Sequence, residues 1–123
     1  MKYLISILVV LAIPVTVINR AYSGEVTIVD VEVSCTKDCM FSVTLQHADE
    51  GWEHYANQWD VVTLDGKLIK SRVLIHPHVD EQPFTRSLSG VKIPQGMKAV
   101  KIRAKDTIHG YARQEYIVEL NSE

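Results

Sequence analysis

From residue 25 onward, apolar and polar residues alternate or gather in short β-branched runs, with turn-forming residues between them. A period of two places successive side chains on opposite faces of an extended chain, the pattern of half-buried strands. Strands are predicted at Glu25–Cys35, Cys39–His47, Gln58–Leu64, Lys67–His76, Pro83–Ser89, Met97–Lys105 and Arg113–Leu120. No segment holds a helical period for three turns. Asp65-Gly66 is a tight hairpin signal, and Pro94-Gln95-Gly96 marks a further turn. Seven short strands in one small domain predict an all-β fold, a seven-stranded antiparallel sandwich of immunoglobulin/fibronectin type with Trp59 in its core.

Residues 1–23 fall outside this pattern. Lys2 precedes the uncharged, largely apolar run 3–18, and Ala21 and Ser23 are small residues suited to cleavage before Gly24. The expectation is a signal peptide at 1–23 and an exported domain at 24–123, periplasmic or secreted, with no membrane span once the leader is removed. The alternative is an uncleaved anchor, although the run is shorter than the ~20 residues a span needs. No cysteine stands at the cleavage point, which argues against a bacterial lipoprotein.

Composition narrows the functional classes. The chain of 123 residues is too short for two full domains, and 46% hydrophobic residues suit one modest core. Without Lys2 and Arg20 there remain 11 basic against 15 acidic side chains, a net charge of −4. The cations are scattered singly, so no stripe is offered to phosphates, and nucleic acid is not an expected partner. Cys35 and Cys39 bracket a three-residue turn between two predicted strands, positions whose separation fits a disulfide in an oxidising compartment. A redox pair or a soft-metal site is the alternative, weakened by the absence of CxxC spacing and of a neighbouring His.

In an antiparallel sandwich alternate loops share an end. The Cys hairpin, the Asp65-Gly66 turn and the 89–96 connection then fall at one pole, and loops 48–57, 77–82 and 106–112 at the other. All five histidines, His47, His54, His76, His78 and His109, lie in or beside the second set. His76-Pro77-His78 is an i, i+2 pair in extended chain, which directs both rings to one side. His47 follows Phe41, Val43 and Leu45 in phase, so it leans over the end of the core.

Imidazole suits zinc, copper, nickel and iron, and three such ligands leave a position open for transfer or catalysis. Asp49, Glu50, Glu53, Asp80, Glu81 and Asp106 are near enough in sequence to supply a further ligand or to orient the rings, with Asp80, Glu81 and Asp106 the first candidates. Met40 and Met97 map to the far pole with the cysteines, which disfavours a thiolate or thioether copper centre. Trp52, Tyr55, Phe84 and Tyr111 are expected to wall the site, with Arg86 and Arg113 in reach. The same aromatic and basic groups would equally serve a binding surface. No GxSxG motif occurs and neither cysteine neighbours a His, so no catalytic nucleophile is assigned.

Two family resemblances attach to these residues. The string His47-Ala-Asp-Glu-Gly-Trp-Glu-His-Tyr-Ala-Asn-Gln-Trp59, with HPHVDEQPFTR at 76–86 and His109-Gly110-Tyr111, resembles a family of small, functionally uncharacterised exported bacterial β-sandwich proteins, over nearly the whole domain. His47, His54-Tyr55 and Trp59 also resemble, more faintly, the HPMxxxHYIxW-like segment of the iron domain of superoxide reductases, and His109-Gly110 its CNxHG-like loop. Asp106 stands at the position of that family's axial cysteine, and the paired histidines are one residue further apart. The resemblance implies a related way of mounting a metal on a sandwich end.

The reading that follows is a transition-metal site, copper or zinc ahead of iron, held by His47, His76, His78 and His109 with His54 as a further member. Metal carriage or a small redox step would be its role. The alternative is a metal-free accessory module whose His- and aromatic-rich loops dock a partner protein.

Overall fold

The computed structural model describes residues 24–120, so the expected signal peptide at 1–23 lies outside the described residues. The described residues form eight strands: β1 (Thr27–Cys35), β2 (Cys39–Gln46), β3 (Ala56–Val62), β4 (Leu68–Val73), β5 (Phe84–Val91), β6 (Ala99–Asp106), β7 (Gly110–Tyr111) and β8 (Tyr116–Glu119). One sheet has the order β1-β2-β5; the other runs β4-β3-β6-β7, with β8 also paired to β6. Every pairing is antiparallel. Among the described residues no helix is long and apolar enough to cross a membrane.

Alternation in sequence becomes alternation in burial. Phe41, Val43 and Leu45 of β2 and Trp59, Val61, Val100 and Ile102 of β3 and β6 are all completely buried, and they form one core shared by the two sheets. Each large apolar side chain withdrawn from water contributes about 1.5–3 kcal/mol before chain entropy is counted. Cys35 and Cys39 face each other in the β1–β2 register and are joined by a disulfide, as the hairpin spacing predicted.

Only β8 falls within the predicted strand Arg113–Leu120; β7 forms inside the stretch 106–112 that sequence predicted as a loop. The edge chain pairs with β6 at Gly110–Tyr111, leaves it, and pairs again at Tyr116–Glu119. The excursion has a physical cause. Gln114 turns into the core, where its side-chain oxygen accepts the Ile28 N–H at 2.7 Å and its amide donates to the Ile28 carbonyl at 2.9 Å. Ile28 lies at an irregularity of the β1–β2 ladder, and the Gln114 amide satisfies its backbone in place of a neighbouring strand. The clamp ties the first strand of one sheet to the edge of the other.

Replacing Gln114 by Ala orphans a buried N–H and a buried carbonyl together, an expected loss of about 2–4 kcal/mol. Urea unfolding should show a lower midpoint at unchanged slope; a loss below about 0.5 kcal/mol, the range of ordinary surface substitutions, would contradict the clamp.

Candidate functional site

The core-facing phase of two strands runs one step past the last apolar layer. On β6, Val100, Ile102 and Ala104 point inward, and the next residue in phase is Asp106, also buried. On β2, Phe41, Val43 and Leu45 are followed in phase by His47, buried as well. A carboxylate and an imidazole thus cap the core at one end of the molecule.

The β2–β3 loop folds over them. Asp49, its side chain fully shielded, takes the His47 Nδ1–H at 2.5 Å and the Ala56 N–H at 3.0 Å on one oxygen, and the His78 N–H at 2.7 Å on the other. The Gln82 side chain adds a second tie, accepting the His47 N–H at 3.0 Å and donating to the His78 carbonyl at 2.9 Å. Thr107 fastens the same loop to the β6–β7 turn: its N–H bonds the Tyr55 carbonyl, and its hydroxyl bonds both the Tyr55 N–H and the Glu53 carbonyl. The three His-bearing loops therefore do converge.

Within this end, His47, His54 and Asp106 offer three ligand atoms that all lie within 4.8 Å of one another. His47 Nε2 is 3.7 Å from Asp106 Oδ2, and His54 Nε2 is 3.3 Å from Asp106 Oδ1. The two imidazoles meet edge to face with centroids 4.8 Å apart. Both are anchored in the same way, His47 through Nδ1 to Asp49 and His54 through Nδ1 to Glu50 Oε1 at 3.1 Å. Each carboxylate can accept a proton from Nδ1, which leaves Nε2 facing the cluster, where His47 Nε2 in its protonated form donates to the Gly24 carbonyl.

What surrounds the two Nε2 atoms is chemically one-sided. His47 Nε2 faces the Gly24 carbonyl at 3.0 Å and the Asp106 carboxylate, both acceptors. His54 Nε2 is buried and forms no aligned hydrogen bond, although Asp106 is near. Lone pairs, a carbonyl and a carboxylate turned toward one point call for a cation there, either a proton or a metal ion.

His109 lies beside this group. Its N–H and that of Ile108 donate to Asp106 Oδ1 at 2.7 and 2.8 Å, and its Nδ1 sits 3.1 Å from both carboxylate oxygens. Burial raises the Asp106 pKa, but the His109 and Ile108 backbone donors and the His109 ring outweigh it, so the carboxyl titrates below its ordinary value. Asp106 is an anion at neutral pH.

His76 and His78 form a separate pair, with ring centroids 4.6 Å apart, outside the three-ligand group. The His78 ring stacks on Phe84 at 4.0 Å, and its Nε2 accepts from the Arg86 guanidinium at 2.9 Å. With its lone pair so engaged, His78 is a neutral packing residue. Burial first, then the charges of Arg86 and His76, lower its pKa. His76 is exposed, with Nδ1 against the Pro77 carbonyl. Asp80 and Glu81 are exposed too, and Glu81 pairs with Arg86, so neither orients a ring. Asp49 and Glu50 take the role that Asp80 and Glu81 were expected to share with Asp106.

Trp52 and Tyr55 pack edge to face at 5.8 Å beside His54 in sequence, Trp52 being largely exposed. Phe84 serves His78. Tyr111 lies elsewhere: its hydroxyl donates to Asp60 Oδ2 at 2.6 Å on the outer face of the β3–β6 sheet, under Arg103. Asp60 is a buried centre that sequence reading missed. Gln58, Ser71, Arg103 and Tyr111 all donate to it. Burial raises its pKa, but these hydrogen bonds, led by Tyr111, hold it below the ordinary carboxylate value. Arg113, expected near the site, pairs with Glu25 at 2.9 Å.

The depressed His78 pKa gives a signed prediction. The unfolded chain binds a proton at His78 more readily, so the stability His78 carries is complete above pH 6.5 and is lost as pH falls toward its lower folded pKa. The unfolding free energy of the protein relative to His78→Gln should be flat above about pH 6.5 and decline below it. A difference that grows on acidification would mean that the folded state favours the imidazolium.

No family model matches the chain, and no solved structure matches it. A protein of Halomicrobium mukohataei described as "Putative lipoprotein" is 39% identical to it over 100 residues, which are 80% of this chain. The chain spans about half, 49%, of that relative's length.

Proposed function

We propose that the protein is an exported β-sandwich of fibronectin type that holds one divalent transition-metal ion at the end of the sandwich, through His47 Nε2, His54 Nε2 and a carboxylate oxygen of Asp106. The observation that carries this is the shared posture of the two imidazoles. Each gives its Nδ1–H to a carboxylate and turns Nε2 toward Asp106, the arrangement that fixes tautomer and raises basicity in metal-bound histidines. Ligands about 2.0–2.1 Å from a tetrahedral ion stand roughly 3.3–3.5 Å apart. The contacts of 3.3 Å from His54 Nε2 to Asp106 Oδ1 and 3.7 Å from His47 Nε2 to Oδ2 approach that spacing on opposite carboxylate oxygens, and the three ligand atoms lie within 4.8 Å of one another, so binding would draw them closer together.

Two imidazoles and a carboxylate suit zinc and copper(II), and also iron(II), which uses the same donor set. Zinc or copper(II) remains the first choice, with carriage the role for either and a one-electron step open to copper alone. Export is supported by the Cys35–Cys39 disulfide, which persists in oxidising compartments, and by the relative's description as a lipoprotein.

A metal-free docking module is the second reading. It is favoured by Trp52, Ile75, Val79 and Ile108, apolar residues on the same loops that are all more than half exposed.

Calorimetric titration with Zn(II) and Cu(II), checked by elemental analysis after dialysis, distinguishes the two. One equivalent should bind, His54→Ala should weaken it by about 10-fold or more, and His76→Ala should leave it unchanged. Equal losses at His54 and His76, or no binding at all, would contradict the proposed ligand set.

A further inference from the structure

Gly24 enters the His/Asp cluster from outside the strands. Its carbonyl oxygen is 3.0 Å from His47 Nε2. Its backbone passes so close to His109 that a Cβ would stand 2.9 Å from Cε1 and 3.1 Å from Nε2 of that ring. A φ of +80° adds that glycine alone adopts this conformation without strain. Backbone rather than side chain therefore borders the cluster here. The next two residues hold it in place, Glu25 through its ion pair with Arg113 and Val26 through burial in the core.

The same residue is the first of the chain expected after cleavage behind Ser23. Cleavage changes its chemistry. An amide nitrogen is a poor ligand while it keeps its proton, whereas an α-amino group ionises at about pH 7.7–8.0 and then presents a lone pair. The amine nitrogen, Cα, carbonyl carbon and carbonyl oxygen of an N-terminal residue close a five-membered ring around a bound cation.

Resting on the metal reading above, we propose that removal of the leader completes the site: the α-amino nitrogen and carbonyl oxygen of Gly24 chelate the same divalent ion that His47, His54 and Asp106 hold, with His109 lying over them. Coordination of the ammonium form releases one proton to solvent, and no bond other than the metal–ligand bonds forms or breaks. The uncleaved chain keeps the carbonyl and both imidazoles but lacks the amine. Metal loading is thereby tied to export.

The test compares three proteins in Zn(II) and Cu(II) titrations at pH 7.5: the chain beginning at Gly24, the same chain with Ser23 retained, and His54→Ala in the first. Retaining Ser23 should weaken binding by about 10-fold or more and remove one nitrogen from the Cu(II) electron paramagnetic resonance pattern. Equal affinity with and without Ser23, alongside a loss in His54→Ala, would overturn the role of Gly24 while leaving the metal site standing. Absence of binding in all three would overturn both. The exported protein should also have the mass of a chain starting at Gly24, and any other start would overturn the proposal.

Discussion

The carboxylate of Asp49, buried at the end of the core, is the constraint around which the site is built. A shielded anion costs several kcal/mol unless donors surround it. Asp49 has three: the His47 ring, the Ala56 N–H where β3 begins, and the His78 N–H in the β4–β5 loop. Each comes from a different stretch of chain, so satisfying one charge fixes where β2 ends, where β3 starts and how the HPH segment lies. Two loops are held to one point, and the His47 ring is held in one direction.

The two buried aspartates beyond Asp49 differ in a way that bears on the proposed cation site. Asp60 is surrounded by donors from four side chains, Arg103 among them, and needs nothing more. Asp106 also collects donors, from the backbone of the β6–β7 turn and from His109. Yet its carboxylate faces the Nε2 atoms of His47 and His54 as well, and the Gly24 carbonyl faces the former. Donors are in surplus at neither of those nitrogens. The floor beneath is apolar, Leu45 and Ala104 being fully buried, so the proposed cation would be screened little by water there.

Much of this was legible along the chain. Period-two alternation and turn residues located the strands, and the spacing of Cys35 and Cys39 located their bridge. The phase of His47 with Phe41, Val43 and Leu45 placed it over the core. The same argument, applied to Val100, Ile102 and Ala104, would have marked Asp106 as buried and central. Less legible was which histidines meet. The i, i+2 spacing of His76 and His78 fits a chelate, but Phe84 and Arg86, six and eight residues after His78, claim its face and its lone pair. Tyr111, only two residues after His109, points across the β3–β6 sheet to Asp60. The break between β7 and β8 goes with a bond between Gln114 and Ile28, 86 residues apart, which no local pattern encodes.

The central claim is that His47 and His54 each keep the proton on Nδ1 and reserve Nε2 for a cation. Long-range proton–nitrogen correlation spectra of the nitrogen-15-labelled protein, recorded before and after one equivalent of Zn(II), read this directly. The account predicts protonated Nδ1 in both rings throughout, with the two Nε2 resonances moving to metal-bound positions on addition of zinc while those of His76 and His78 stay put. Protons on Nε2 of either ring that survive zinc, or shifts confined to His76 and His78, would contradict it.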